Sequence, residues 1–355
     1  MKQTSFKPGQ VWYDTEGKRI QAHGGSVLYL DGVYYWYGEN KEKTTGNDDT
    51  WHWGVRCYTS TDLYNWEDKG LIIPPNLTDR SSSLHPSRFM DRPHILYNKK
   101  TKKFVAWLKI MQSDGSQSMT VLTADSILGP YTIIKEDVRP FGMSSGDFDL
   151  VKADDGKAYW YFERVHSELI CADLNDTYTD VTGYYSTHFP HHDGPPAVRE
   201  APAHFFRDGK HYLITSGTTG YFPNPSEIAV ADTWHGPFTV LGDPHVGDDS
   251  HTSFHSQISS VFRVPGKKDL YIACADRWLV DGMQNTYDRD HDLIPSLAKP
   301  DSITWFDTDK DCPPGCSSTH LECYPEYRQE FDSIAPHHPD PWVSYTGTDE
   351  YPFGL

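Results

Sequence analysis

The chain has 355 residues, a formal net charge of −18 at pH 7 and 14% aromatic residues. So acidic a chain repels phosphate polyanions, which excludes nucleic acid and anionic membrane surfaces as expected partners and favours a neutral oligosaccharide or polysaccharide. No stretch of about 18 apolar residues is present to span a bilayer as a helix.

The first residues, Met1-Lys2-Gln3-Thr4-Ser5-Phe6-Lys7, contain no apolar run of the kind a secretory leader needs. That leaves a protein working inside the cell or a chain that begins at a mature end. A hairpin phrase then recurs, in which a polar turn leads into aromatic and β-branched residues. It runs from Asp31-Gly32 into Tyr34-Tyr35-Trp36-Tyr37, and from Lys102-Lys103 into Phe104-Val105-Ala106-Trp107. It returns from Asp155-Gly156 into Tyr159-Trp160-Tyr161-Phe162, from Asp208-Gly209 into Tyr212-Leu213-Ile214, and from Lys267-Lys268 into Leu270-Tyr271-Ile272. After a longer first gap the spacing is just over fifty residues, close to the roughly 40–50 residues of a four-stranded propeller blade.

A companion phrase follows several of these hairpins: Ser60-Thr61-Asp62-Leu63-Tyr64-Asn65-Trp66, Ala124 to Tyr131, and Ala231 to Phe238. Its Asp and Gly-Pro set a turn, and its aromatic opens an outer strand. The expected fold is therefore all-β: a five-bladed β-propeller with a long irregular C-terminal extension. From residue 281 onward Asp, Pro, His and Ser dominate and alternation fades. We expect Ile303-Thr304-Trp305-Phe306 to supply the closing strand, so that the propeller spans residues 1–310. Residues 311–355 are then an irregular extension packed on it, with too few apolar residues for a second core.

Six cysteines are present: Cys57, Cys171 and Cys274 are scattered, while Cys312, Cys316 and Cys323 cluster. The cluster reads as structural thiols first, with one disulfide or a zinc site near His320 as alternatives; its spacing is not that of paired zinc knuckles. No metal ligand set is assigned.

A propeller has a central funnel where several blades can converge. Three strand openings carry polar residues there. Asp91-Arg92-Pro93-His94 places a carboxylate before a proline-marked strand start, and Glu200-Ala201-Pro202-Ala203 repeats the arrangement. Each carboxylate alone could be a surface residue, Asp91 paired with Arg92; two in separate blades suggest acids converging on one pocket. Thr252-Ser253-Phe254-His255-Ser256-Gln257 is either a satisfied internal network or a set of donors and acceptors for a hydroxylated ligand.

At these residues the chain resembles glycoside hydrolase family 43, in particular the branch of exo-β-1,3-galactanases and related exo-galactosidases. Further motifs carry the resemblance: Gln21-Ala22-His23-Gly24-Gly25, Tyr34 through Lys41, Tyr58 through Trp66, and Ile214-Thr215-Ser216-Gly217-Thr218-Thr219-Gly220. Together they cover about residues 10–280 in order. The resemblance implies an inverting exo-glycosidase acting on a terminal galactose-like sugar, with Glu200 as general acid and Asp91 tuning that acid's pKa and position. The family's usual Asp base at the first blade opening is missing. By analogy with the branch, Gln257 inherits the base position, to orient or activate water. Glu39, Asp147 and Thr218 match positions near the bound sugar, and His23 and Tyr221 are further substrate-binding candidates. Trp36, Trp51, Trp53 and Tyr221 are candidates for stacking, with Trp36 read first as blade core.

The sequence departs from that branch at Asp91, commonly Glu, at Gly146, often Arg, and at Glu163-Arg164-Val165-His166, where an Asn-containing pattern is usual. These changes leave arabinofuranose, galactofuranose and xylose open as terminal sugars, and the missing carboxylate base leaves a sugar-binding propeller without activity as the other class. The expected state is a monomer that needs no cofactor, with a structural calcium in the ring left open.

Overall fold

The computed structural model describes Gln3, Thr4, Phe6 and residues 11–44, 48–112, 114–191, 198–219, 224–267 and 269–277, together with the backbone of 303–307. These residues build an all-β propeller of antiparallel sheets. The first sheet holds β1 (His23–Leu30), β2 (Val33–Glu39), β3 (Val55–Ser60) and β4 (Glu67–Ile73) in that order. The second holds β5 (Phe89–Asn98), β6 (Lys103–Met111), β7 (Gln117–Ala124) and β8 (Thr132–Val138). The third holds β9 (Ser145–Lys152), β10 (Ala158–Arg164), β11 (Glu168–Leu174) and β12 (Val181–His188). The fourth holds β13 (Arg199–Arg207), β14 (Lys210–Gly217), β15 (Glu227–Ala231) and β16 (Thr239–Gly242). A last sheet has three strands: β17 (Ser256–Arg263), β18 (Tyr271–Arg277) and β19 (Ile303–Asp307).

Five four-stranded blades were expected; four are complete among the described residues, and β17–β19 form the three-stranded sheet. The anticipated closing strand is β19, which pairs with β18 from Ile272↔Asp307 to Asp276↔Ile303. Residues 311–355, with Cys312, Cys316 and Cys323, lie outside the described residues.

Position in a blade sets each strand's residue pattern. β6 is packed on both faces, and its run Phe104 to Ile110 is buried throughout. β8 lies at a blade's outer edge, where exposed Thr132, Ile134 and Glu136 alternate with half-buried Ile133 and Lys135. The core lies between sheets. One apolar cluster joins the first and second sheets through Tyr37, Cys57, Met90 and Ile95. A second joins the second and third through Trp107 and Trp160, and further clusters join the third to the fourth and the fourth to the last. Trp36, Trp66 and Phe6 then pack with Ile272 and Cys274 of the last sheet, which closes the ring.

Candidate active site

β1, β5, β9, β13 and β17 are the first strands of their sheets and touch one another in ring order around the hub. Each carries a one-residue irregularity in its pairing with the second strand, a β-bulge near the strand's start. A bulge adds an unpaired residue and re-aims its neighbours. In three sheets the pair just outside it is His23↔Glu39, Asp91↔Lys109 and Glu200↔Ser216, and in the last sheet Gln257↔Asp276 lies one pair further out, beyond Ile258↔Ala275. The third sheet has Ser145↔Arg164 just outside its bulge, and its carboxylate, Asp147, comes from within the bulge. Arg92 (φ 47°) and Ala201 (φ 49°) take left-handed backbone in the two carboxylate-led bulges. Such strain in non-glycine residues is a mark of functional sites.

The side chains form one continuous chain of polar contacts. Gln257 Nε2 donates to Glu200 Oε1 (3.2 Å) and to Ser216 Oγ (2.9 Å). Gln257 Oε1 accepts from Arg92 Nη2 (2.7 Å), while Arg92 Nη1 donates to Ile258 O (3.1 Å). Arg92 Nε lies 2.9 Å from Asp147 Oδ2. Lys109 Nζ bridges Asp147 Oδ1 (2.7 Å) and Asp91 Oδ2 (3.2 Å). Trp51 Nε1 donates to Asp91 Oδ1 (3.0 Å). A second group joins at Arg92, whose backbone N–H donates to Glu39 Oε1 (3.0 Å). Glu39 also holds His23 Nδ1 (3.1 Å) and Lys41 Nζ (2.7 Å), and Asp276 takes the Gly24 N–H at 2.9 Å and faces His23 Nε2 at 3.6 Å.

These surroundings split the carboxyls. Burial pushes Glu200 well above the ordinary carboxylate range, and the charges of Asp147 and then Glu163 push it further. Burial also acts against Asp147, but Arg92 and Lys109 outweigh it and keep the carboxyl below its usual value. Asp91 is raised by burial, although Lys109 resists. Glu39 is buried too, yet Lys41 and His23 hold it down to about 2. His23 goes the other way: burial opposes its charge, but Asp276 and Glu39 raise its pKa overall. A carboxyl pushed well above its range beside others held down, here Asp147 and Glu39, is the arrangement of an acid set apart for proton donation.

Glu200, Gln257, Asp91 and Asp147 thus meet in one network, and His23 and Glu39 adjoin it through Arg92. Thr218 follows β14 and is half-buried; Tyr221 lies outside the described residues. Asp91 is not a surface residue paired with Arg92: both are buried, and Arg92 turns to Asp147 instead. Trp36 and Trp51 are fully buried and form no stacking face, and Lys41 covers the Trp51 ring at 4.3 Å. Trp53 has Lys43 over its ring at 3.6 Å. The sequence reading missed Arg92, Lys109, Ser216 and Asp276 as site residues. Lys109 had a signal: a single cation inside the run Phe104 to Met111 needs a buried anion.

Among the described residues no cluster of three His, Cys, Asp or Glu could hold a metal ion. Cys57, Cys171 and Cys274 are buried free thiols.

The family model for glycosyl hydrolases family 43 matches residues 20–287. The chain belongs to family 43. This family 43 chain is similar to a solved β-1,3-galactosidase of the same family, with 31% identity and a TM-score of 0.71, covering 86% of this chain and 60% of that one. It spans less than two thirds of that protein's length. A second β-1,3-galactosidase, solved with galactodeoxynojirimycin, shows 30% identity and a TM-score of 0.71, over 85% of this chain and 94% of the other. The exo-β-1,3-galactanase of Phanerochaete chrysosporium, solved with galactose, shows 26% identity and a TM-score of 0.70, over 86% and 65%. No curated protein matched the chain.

Proposed function

We propose that this family 43 protein is an inverting exo-glycosidase that hydrolyses a terminal galactose-like residue, with a β-1,3-galactosidic bond as substrate. One observation carries the proposal: Glu200, pushed up by burial and by Asp147, touches Gln257 at 3.2 Å in the funnel. The similar solved proteins are named as β-1,3-galactosidases and exo-β-1,3-galactanases, and a variant of the Phanerochaete enzyme was solved with β-1,3-galactotriose. We also read β17–β19 as the fifth blade, because its apolar face packs on the first sheet and completes the ring.

In this reading Glu200 gives its proton to the glycosidic oxygen, and a water attacks the anomeric carbon from the opposite face. Gln257 positions that water. Its amide nitrogen already donates to Ser216 and Glu200, and its oxygen accepts from Arg92. One lone pair of that oxygen is left to accept a water O–H. In this reading Gln257 acts as an ordinary amide that aims water, and the proton the water loses as it adds to the anomeric carbon passes to solvent. Asp91, tied to Lys109 and Trp51, holds Lys109 against Asp147, and so sets the charge that Glu200 feels.

The test is the first anomer released from β-1,3-galactobiose, followed by proton NMR. α-Galactose as the initial product supports inversion. Initial β-galactose would refute it.

A further inference from the structure

Glu163, at the end of β10, is a buried carboxylate with one oxygen that the fold does not use. It is 2% exposed. Its Oε1 accepts the His166 N–H at 2.7 Å and meets His166 Nδ1 at 3.1 Å. Its Oε2 has no hydrogen-bond donor among the described residues. That oxygen reaches across Gly146 so closely that a Cβ there would lie 2.4 Å from it. Gly146 precedes Asp147, so Oε2 points into the neighbourhood of the network just described. That oxygen is open to solvent, and so to the hydroxyls of a ligand entering the funnel.

We propose that Glu163 is a specificity-determining residue whose carboxylate accepts hydroxyl hydrogens from a neutral sugar on the leaving-group side of the scissile bond. The inference rests on the glycosidase reading above. Geometry sets the side. Glu163 lies over Gly146, beside Asp147 of the network. The His166 side chain bound to Glu163 is 69% exposed, so the pair runs from the network out to the rim. An exo-acting site seats the terminal sugar at its closed end, and the leaving chain exits toward that rim. An ionised carboxylate can only accept hydrogen bonds, so it selects hydroxyl donors. It repels a uronate at the same place. Gly146 is required because any side chain would block the approach.

The experiment compares wild type, Glu163→Gln and Gly146→Ala on β-1,3-galactobiose and on nitrophenyl β-galactoside, whose leaving group has no sugar hydroxyls. Gly146→Ala keeps the charge and only displaces the carboxylate. Losing one charge-assisted hydrogen bond raises KM for galactobiose by about 10-fold or more in both variants, while KM for the aryl galactoside stays within about twofold. Glu163→Gln also narrows the preference for a neutral over a uronate leaving sugar. Equal changes on both substrates, or an unchanged KM for galactobiose, would overturn the proposal. Should wild type hydrolyse neither substrate, the glycosidase reading fails. Calorimetry with galactobiose and galactose then still reads Glu163. Weaker binding of the disaccharide alone in Glu163→Gln sustains its role, and unchanged binding of both ends it.

Discussion

Arg92→Lys tests whether the guanidinium is what aims Gln257. Arg92 is 4% exposed and makes three contacts at once, to Asp147, Gln257 and the Ile258 carbonyl. A lysine keeps the charge but has a single head, which Asp147 would claim. Gln257 Oε1 and Ile258 O then lose their donor. A buried acceptor left without a partner costs about 1–3 kcal/mol; with water entering, we expect about 2–4 kcal/mol for the two together. Urea unfolding would read that loss. A freed Gln257 misplaces the attacking water, and a misplacement of about 1 Å can cost about 100-fold in rate. We therefore expect kcat on β-1,3-galactobiose to fall about 100-fold with KM little changed. The same substitution made on Gln257→Ala should then add almost nothing, because the two residues act as a unit. Full additivity, or a kcat for Arg92→Lys within about threefold of wild type, would refute the reasoning.

Three further outcomes concern the raised carboxyls. Glu200→Gln should cut turnover of galactobiose by at least about 100-fold through loss of the acid, with a native circular dichroism spectrum. Because the pKa of Glu200 is raised in the fold, its contribution to stability is complete below about 4.5 and is lost as pH rises above that value. Glu200→Gln should therefore match or exceed wild type in Tm near neutral pH, with a gap that widens from acid to neutral. A constant gap would contradict the raised value. Asp149 accepts the His204 N–H at 2.8 Å and faces His94 Nδ1 at 3.2 Å, and burial pushes it up to about 7 from an ordinary 3.8. Its contribution is complete below pH 3.8 and lost as pH rises to about 7. Asp149→Asn lacks that dependence, so its Tm relative to wild type should climb between those pH values and then level off. Parallel pH curves would disprove it.

The sequence by itself determined the blade plan. Asp31-Gly32, Lys102, Asp155-Gly156, Asp208-Gly209 and Lys267 all fall in the turns between the first two strands of successive sheets. Polar turns and alternating aromatics are local signals, so they survive without a fold. The same holds for Asp91-Arg92-Pro93 and Glu200-Ala201-Pro202, whose positions at strand openings put two carboxylates at the hub. What the tertiary structure alone decided is which charge meets which. Arg92 pairs with Asp147, from the neighbouring sheet, and reaches Gln257, 165 positions along the chain, rather than its neighbour Asp91. Trp51 donates to Asp91 instead of stacking on a sugar, and Glu163 crosses over Gly146. Each of these depends on the bulges and on the ring's closure. Electrostatic energy depends on separation in space and on exclusion of water, and a linear order of residues specifies neither.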